Sequence, residues 1–273
     1  MQKSEFISKM ADYAKTYGEV GFQEVDRSNN HYYGMFIKKD HTPTPVANLD
    51  LMYSKYTDGL WNMSDCTDYL NDIFTHKMDM PVSTSDVINW SWVKSRLYFR
   101  LLGTAGSGIN REVEDMYLIP YVQLTSDDSA AIRVTSKLIE VWGVTVDDVF
   151  AAAETNQNTL RPASIRSMSQ VLDASESEFP MYVVSNSIGS FGASVILYPE
   201  VADRLHNMIN GDFYVLPSSV HEMIVIPKCT EFDINALAEM VASINRTSVS
   251  EYDRLTDSIY TYDFQHNTLK LVG

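Results

Sequence analysis

Residues 181–210, MYVVSNSIGSFGASVILYPEVADRLHNMIN, and residues 213–245, FYVLPSSVHEMIVIPKCTEFDINALAEMVASIN, decide the fold. Each reads as two apolar runs followed by an amphipathic helix. In the first, Met181–Ser185 and Ala193–Tyr198 are expected strands around the turn Ser187-Ile-Gly-Ser190. Pro199 suits the first turn of a helix that Asn210-Gly211 closes. In the second, Phe213–Leu216 and Met223–Ile226 flank Pro217-Ser218-Ser219. Asp233 then caps a helix whose Leu237, Met240, Val241 and Ile244 recur at helical spacing and are expected to face inward. The pattern ββα is thus written twice, without residue identity between the copies. A short pair, Ser258–Tyr262 and Thr268–Val272, turns at Gln265-His266-Asn267 and follows it.

Upstream, residues 167–180, SMSQVLDASESEFP, combine four serines, three acids and a closing proline, the composition of a linker. The expected organisation is therefore an N-terminal α+β domain over 1–166, a linker over 167–180 and a C-terminal ββαββα domain over 181–273. Phe6, Met10, Tyr13 and Tyr17 mark a first amphipathic helix. Gly21–Asp26 and His31–Lys38 read as strands around Arg27-Ser28-Asn29-Asn30, with Gly34 at a bulge or a close backbone approach. His41-Thr-Pro-Thr-Pro45 is extended or turning, and Val46–Met52 is a third strand. Ser64-Asp65 opens a helix carrying Cys66, Tyr69, Leu70, Ile73 and Phe74. A further helix is expected over Val87–Leu102, from the spacing of Trp90, Val93, Leu97 and Leu101. Strands are expected near Tyr117–Leu124, Ala131–Val134 and Leu138–Trp142. Thr145-Val-Asp-Asp starts a further helix, with Thr145 as its cap. The fold class is α+β: two mainly antiparallel sheets with helices packed on them.

The 273 residues carry 21 Lys and Arg against 36 Asp and Glu, a net charge of −15. That excess repels phosphate backbones and argues against direct nucleic-acid binding. No apolar run reaches the length of a membrane span, and the N-terminus lacks the apolar core of a signal peptide. The expected location is the cytoplasm. Two cysteines, Cys66 and Cys229, fit that compartment and supply neither a disulfide framework nor a four-cysteine zinc site.

Few segments carry recognisable chemistry. Gly103-Thr-Ala-Gly-Ser-Gly108 lacks the ending of a phosphate-binding loop and reads as a helix terminator. The six histidines show no ligand pair at helical spacing, so neither a metal nor a cofactor is expected. Asp65, Asp68 and Asp72 share a helix face, which reads as a solvated surface. Ser218, His221 and Glu222 are the candidate catalytic residues, as nucleophile, base and orienting carboxylate. Against them, His221 and Glu222 point to opposite sides of an extended segment, and no Gly-x-Ser-x-Gly elbow is present.

Val141-Trp-Gly-Val-Thr-Val-Asp-Asp148, Pro180-Met-Tyr-Val-Val184, Gly192-Ala-Ser-Val-Ile-Leu-Tyr-Pro199 and Leu216-Pro-Ser-Ser-Val-His-Glu222 carry a resemblance. They resemble an uncharacterised family of gut Firmicutes, domain of unknown function 5688, often found on mobile genetic elements. The resemblance covers nearly the whole chain and implies no activity and no catalytic residue. Its context implies an accessory factor of a mobile element, such elements often carrying proteins that blunt host defence. The leading expectation is accordingly an acidic cytoplasmic interaction protein, an anti-defence factor among the options, with a basic protein as partner. A hydrolase-like enzyme using Ser218, His221 and Glu222 is the second reading, and a structural protein that oligomerises through a sheet edge is the third.

Overall fold

The computed structural model describes residues 1–27, 30–38, 44–75, 82–126, 128, 130–173, 180–228 and 233–272. The expected turn at Ser28 and Asn29, the stretch from His41 to Pro43, His76, Asp127, residues 174–179 and Cys229 lie outside them. The protein is α+β, its strands paired antiparallel, and it divides into two compact units, 1–87 and 88–273.

In the first unit, α1 (Lys3–Ala14) precedes β1 (Val20–Arg27), β2 (Asn30–Ile37) and β3 (Val46–Asn48). Three helices follow, α2 (Leu49–Thr57), α3 (Met63–Thr75) and α4 (Thr84–Val87). The sheet order is β1-β2-β3. Phe6, Met10 and Ala14, one helical face of α1, are buried with Met35, Ala47, Met52, Cys66 and Leu70. Gly34 does sit at a close approach: a Cβ there would collide with the Val46 side chain. The strand expected over Val46–Met52 ends at Asn48, because the Asn48 side chain accepts from Leu51 N (2.9 Å) and starts α2.

The second unit opens with α5 (Trp90–Lys94), β4 (Leu97–Leu102), β5 (Arg111–Val113), β6 (Met116–Gln123) and β7 (Ala131–Arg133). β6 pairs with β4 along one side and with β5 and β7 along the other. Then come α6 (Ser136–Trp142), α7 (Val146–Leu160), β8 (Ala163–Ser167), α8 (Met168–Leu172) and β9 (Tyr182–Asn186). A 3-10 turn (Gly192–Leu197) leads to α9 (Pro199–Ile209), β10 (Phe213–Ser219), β11 (Glu222–Pro227), α10 (Ile234–Ser248), β12 (Tyr260–Asp263) and β13 (Thr268–Leu271). These strands form a six-stranded sheet in the order β13-β12-β10-β11-β9-β8.

Four expectations are corrected. The helix expected over Val87–Leu102 is two elements: Asn89 caps a short helix, and Leu97–Leu102 is a strand buried at every residue. A strand covered on both faces loses its alternation, so its apolar residues can fall at helical spacing by coincidence. Leu138–Trp142 is helical, because the Thr135 side chain caps it and Gly143 ends it at φ +65°. Ala193–Tyr198 lies in the buried 3-10 turn and the residue after it, so the first ββα copy is strand, turn and helix while the second is complete. Finally, the linker expected at 167–180 does not separate the compact units. Strands on either side of it pair, Ser167 opposite Tyr182, which ties β8 into the same sheet as β9.

Both faces of the central hairpin β10–β11 are covered. Phe213, Val215, Met223 and Val225 join one core with α9 and the 3-10 turn, while Tyr214, Leu216 and Ile226 join another with Leu237 and Val241 of α10.

Candidate functional site

The β10–β11 hairpin carries all three candidate residues, and the structure divides them. Its turn falls at Val220-His221 rather than at Pro217–Ser219, after a bulge between Pro217 and Ser219. Ser218 Oγ donates to Glu222 Oε1 at 3.2 Å. His221 belongs to other partners: its Nδ1 accepts from the Phe191 amide (3.1 Å), and its Nε2 lies 3.3 Å from Asp253 Oδ1. An Nδ1 that accepts a backbone N–H fixes the neutral tautomer with its proton on Nε2. Both ring nitrogens are therefore engaged away from Ser218, and serine, histidine and glutamate do not converge.

Ser218 and Glu222 instead stand at one end of a cleft of about 800 Å³ between α10 and the sheet. Leu216, Ile224 and Ile226 form its floor, Leu237, Met240, Val241 and Ile244 one wall, and Met168 and Met181 another. Its volume and apolar lining, with a few polar groups, fit a binding site. Sequence periodicity places Met240 and Ile244 inside; they are instead 46% and 47% exposed, whereas Leu237 and Val241 are buried. The helix packs along its Leu237–Val241 edge and holds the Met240–Ile244 edge over the opening. Asn245, at the far end of α10, is anchored by donation to Thr256 O (3.1 Å) and Asp257 Oδ1 (2.7 Å).

A second polar group is closed. Asp128 Oδ1 accepts from Tyr98 OH (2.5 Å), Arg100 Nη2 (2.9 Å) and Arg161 Nη2 (2.7 Å), all buried. The Arg161 guanidinium lies 3.7 Å from the centre of the Tyr98 ring, and that of Arg100 lies 3.7 Å from the Phe191 ring. Burial pushes the Tyr98 hydroxyl well above the usual tyrosine range; the two arginines oppose that and Asp128 adds to it. This cluster escapes sequence reasoning, although Arg100 inside the apolar run LYFRLL is its trace.

The glycine-rich run follows a strand, not a helix, and the next element is β5, so the run does not lead into a helix N-terminus. It wraps an arginine: Arg133 Nη2 donates to Ala105 O, and a Cβ on Gly106 would collide with Arg133 Nη1. Asp65, Asp68 and Asp72 are exposed, and among the described residues no group of three His, Cys, Asp or Glu side chains could hold a metal ion. Asp115 gathers three hydroxyls, from Thr256 (2.6 Å), Ser258 (2.8 Å) and Tyr260, fastening the β5–β6 turn to the start of β12. Burial raises its carboxyl, but those hydrogen bonds outweigh it and hold the group below its ordinary value.

The protein is α+β, with an open apolar cleft over its six-stranded sheet and with His221 held by the Phe191 amide and the Asp253 carboxylate. The chain belongs to the family described as family of unknown function DUF5688, whose model matches residues 3–264. Comparison with curated proteins and with solved structures gives no match. No helix of the described residues is long and apolar enough to cross a membrane.

Proposed function

We propose that this protein acts by binding another protein through the cleft between α10 and the β10–β11 hairpin. The observation that carries the reading is the half-exposed pair Met240 and Ile244, held over about 800 Å³ of apolar space. Leaving about half of each side chain in water forgoes burial free energy of roughly 0.7–1.5 kcal/mol each, which a partner would recover. The net charge of −15 supports a basic partner and disfavours nucleic acid. A cytoplasmic accessory role on a mobile element, anti-defence activity included, rests on the resemblance to the gut Firmicutes family and is consistent with binding without catalysis.

Affinity capture from a lysate of the producing cell, with wild-type protein and Ile244→Asp in parallel, tests it. The reading expects a stoichiometric partner on the wild type that is lost from a folded Ile244→Asp. Equal capture by both would reject the cleft as the binding surface.

A further inference from the structure

The geometry points to a basic amphipathic α-helix of the partner as the segment that enters this cleft. The inference deepens the interaction reading and rests on it. Three features select the occupant. The floor is made by β10 and β11, and neither has a free edge there: β10 lies between β12 and β11, and β11 between β10 and β9. An entering segment cannot complete its backbone hydrogen bonds by adding a strand. The lining offers mainly Leu, Ile, Met and Val, and Asn245 Nδ2 is already committed. A chain that enters must satisfy its own amides, which is what a helix does.

The dimensions agree. The four residue steps from Glu222 to Ile226 span about 13 Å along a strand, and the eight steps from Leu237 to Asn245 span about 12 Å along a helix. Apolar anchors at positions i, i+4 and i+7 of a bound helix span roughly 10 Å, so three of them fit this length. Methionine forms part of both walls, as Met168, Met181 and Met240. Unbranched thioether side chains repack around differently shaped anchors.

Charge sets the remaining position. Among the described lining residues Glu222 is the ionisable one, at the hairpin end of the cleft. Its Oε1 accepts from Ser218, and a carboxylate keeps further lone pairs for a Lys or Arg just outside the apolar anchors. The excess of negative charge over the chain favours a cationic segment over an anionic one.

The test uses the full chain and three fluorescein-labelled synthetic 16-residue peptides, read by anisotropy at low salt. The first carries Leu at i, i+4 and i+7 with Lys flanking the stripe. The second has the same composition with the leucines scattered around the helix, and the third has Glu for Lys. The expected result is binding of the first at least 10-fold tighter than of either other peptide, abolished by Ile244→Asp. Glu222→Lys is expected to reverse the preference between the Lys and Glu peptides. Equal binding of the first two peptides, an unchanged preference in Glu222→Lys, or saturable binding of dodecylamine but of no peptide would overturn the helix. So would a homodimer in light scattering that Ile244→Asp converts to monomer. If the peptides fail while Ile244→Asp still loses its captured partner, the helix falls and the cleft stands. If Ile244→Asp captures the partner as well as wild type does, the cleft reading itself falls.

Discussion

Arg161 Nη2 lies 2.7 Å from Asp128 Oδ1, and the two side chains are 1% and 0% exposed. Arg100 shares the same oxygen, so two guanidinium groups are buried against one carboxylate. Asp128 Oδ2 and Arg161 Nε have no hydrogen-bond partner among the described residues. Cation–π contacts with Tyr98, Tyr121 and Phe191 offset part of the resulting excess positive charge. Removing the carboxylate charge leaves that excess uncompensated. Asp128→Asn keeps the side-chain shape and suits the left-handed backbone at φ +62°. It is expected to cost about 3–5 kcal/mol, or roughly 6–20 °C in Tm, by urea and thermal denaturation. A change below about 1 kcal/mol would show that the cluster is not held by charge.

Gly192 stands where backbone meets backbone. A Cβ there would sit 2.5 Å from Asn186 N and 2.7 Å from His221 O, so the turn, β9 and the hairpin tip could not all keep their places. Gly192→Ala is expected to destabilise by about 1–3 kcal/mol, and Gly211→Ala, where a Cβ meets nothing within 4 Å, to change stability by less than about 1 kcal/mol. Chemical denaturation of the two variants side by side checks the contrast.

The two ends of that contrast show what was legible. Asn210-Gly211 reads correctly as a helix end, because capping is local chemistry: Asn210 takes the left-handed conformation at φ +58°. The Thr145–Asp148 start reads correctly for the same reason, with Thr145 Oγ1 accepting from Asp148 N and Asp148 Oδ2 from Thr145 N. The Gly192 turn and the β4 strand do not read correctly. Their apolar residues are buried on every side, and periodicity then carries no directional information. The candidate site divides similarly. His221 beside a hairpin turn is visible in sequence, but its partners Phe191 and Asp253 lie 30 and 32 residues away. Met240 and Ile244 read as core because a helix pattern shows which residues share a face, not whether that face is fully covered.

Tyr98, Tyr198, Tyr260 and Tyr262 have hydroxyls raised chiefly by burial, Tyr262 to about 12. A group whose folded pKa exceeds its unfolded value stabilises the fold at pH below the unfolded value. That contribution is lost as pH rises from about 10 through the folded value. Absorbance at 295 nm is expected to show at least these four of the 16 tyrosines still un-ionised at pH 11, titrating only with unfolding. Full ionisation of all 16 by pH 11, with the fold intact, would contradict the burial.

Asp115 runs the other way. Its carboxyl is held below its ordinary value, so its contribution is present above the unfolded value near 4 and is lost as pH falls through the folded one. Because the side chain is solvent-screened, Asp115→Asn is expected to cost only about 1 kcal/mol at pH 7. The difference from wild type should shrink toward zero by pH 2, as followed by urea denaturation across pH. A pH-independent difference would show that the hydroxyl cluster does not depend on the charge.

In the proposed reading, partners seat between α10 and the β10–β11 hairpin. Hydrogen exchange of the captured complex against the free protein tests it most directly. New protection is expected to concentrate in residues 216–226 and 237–245 of the wild type, with none when Ile244→Asp is mixed with the same partner. Protection elsewhere, with these two stretches exchanging as in the free protein, would contradict it.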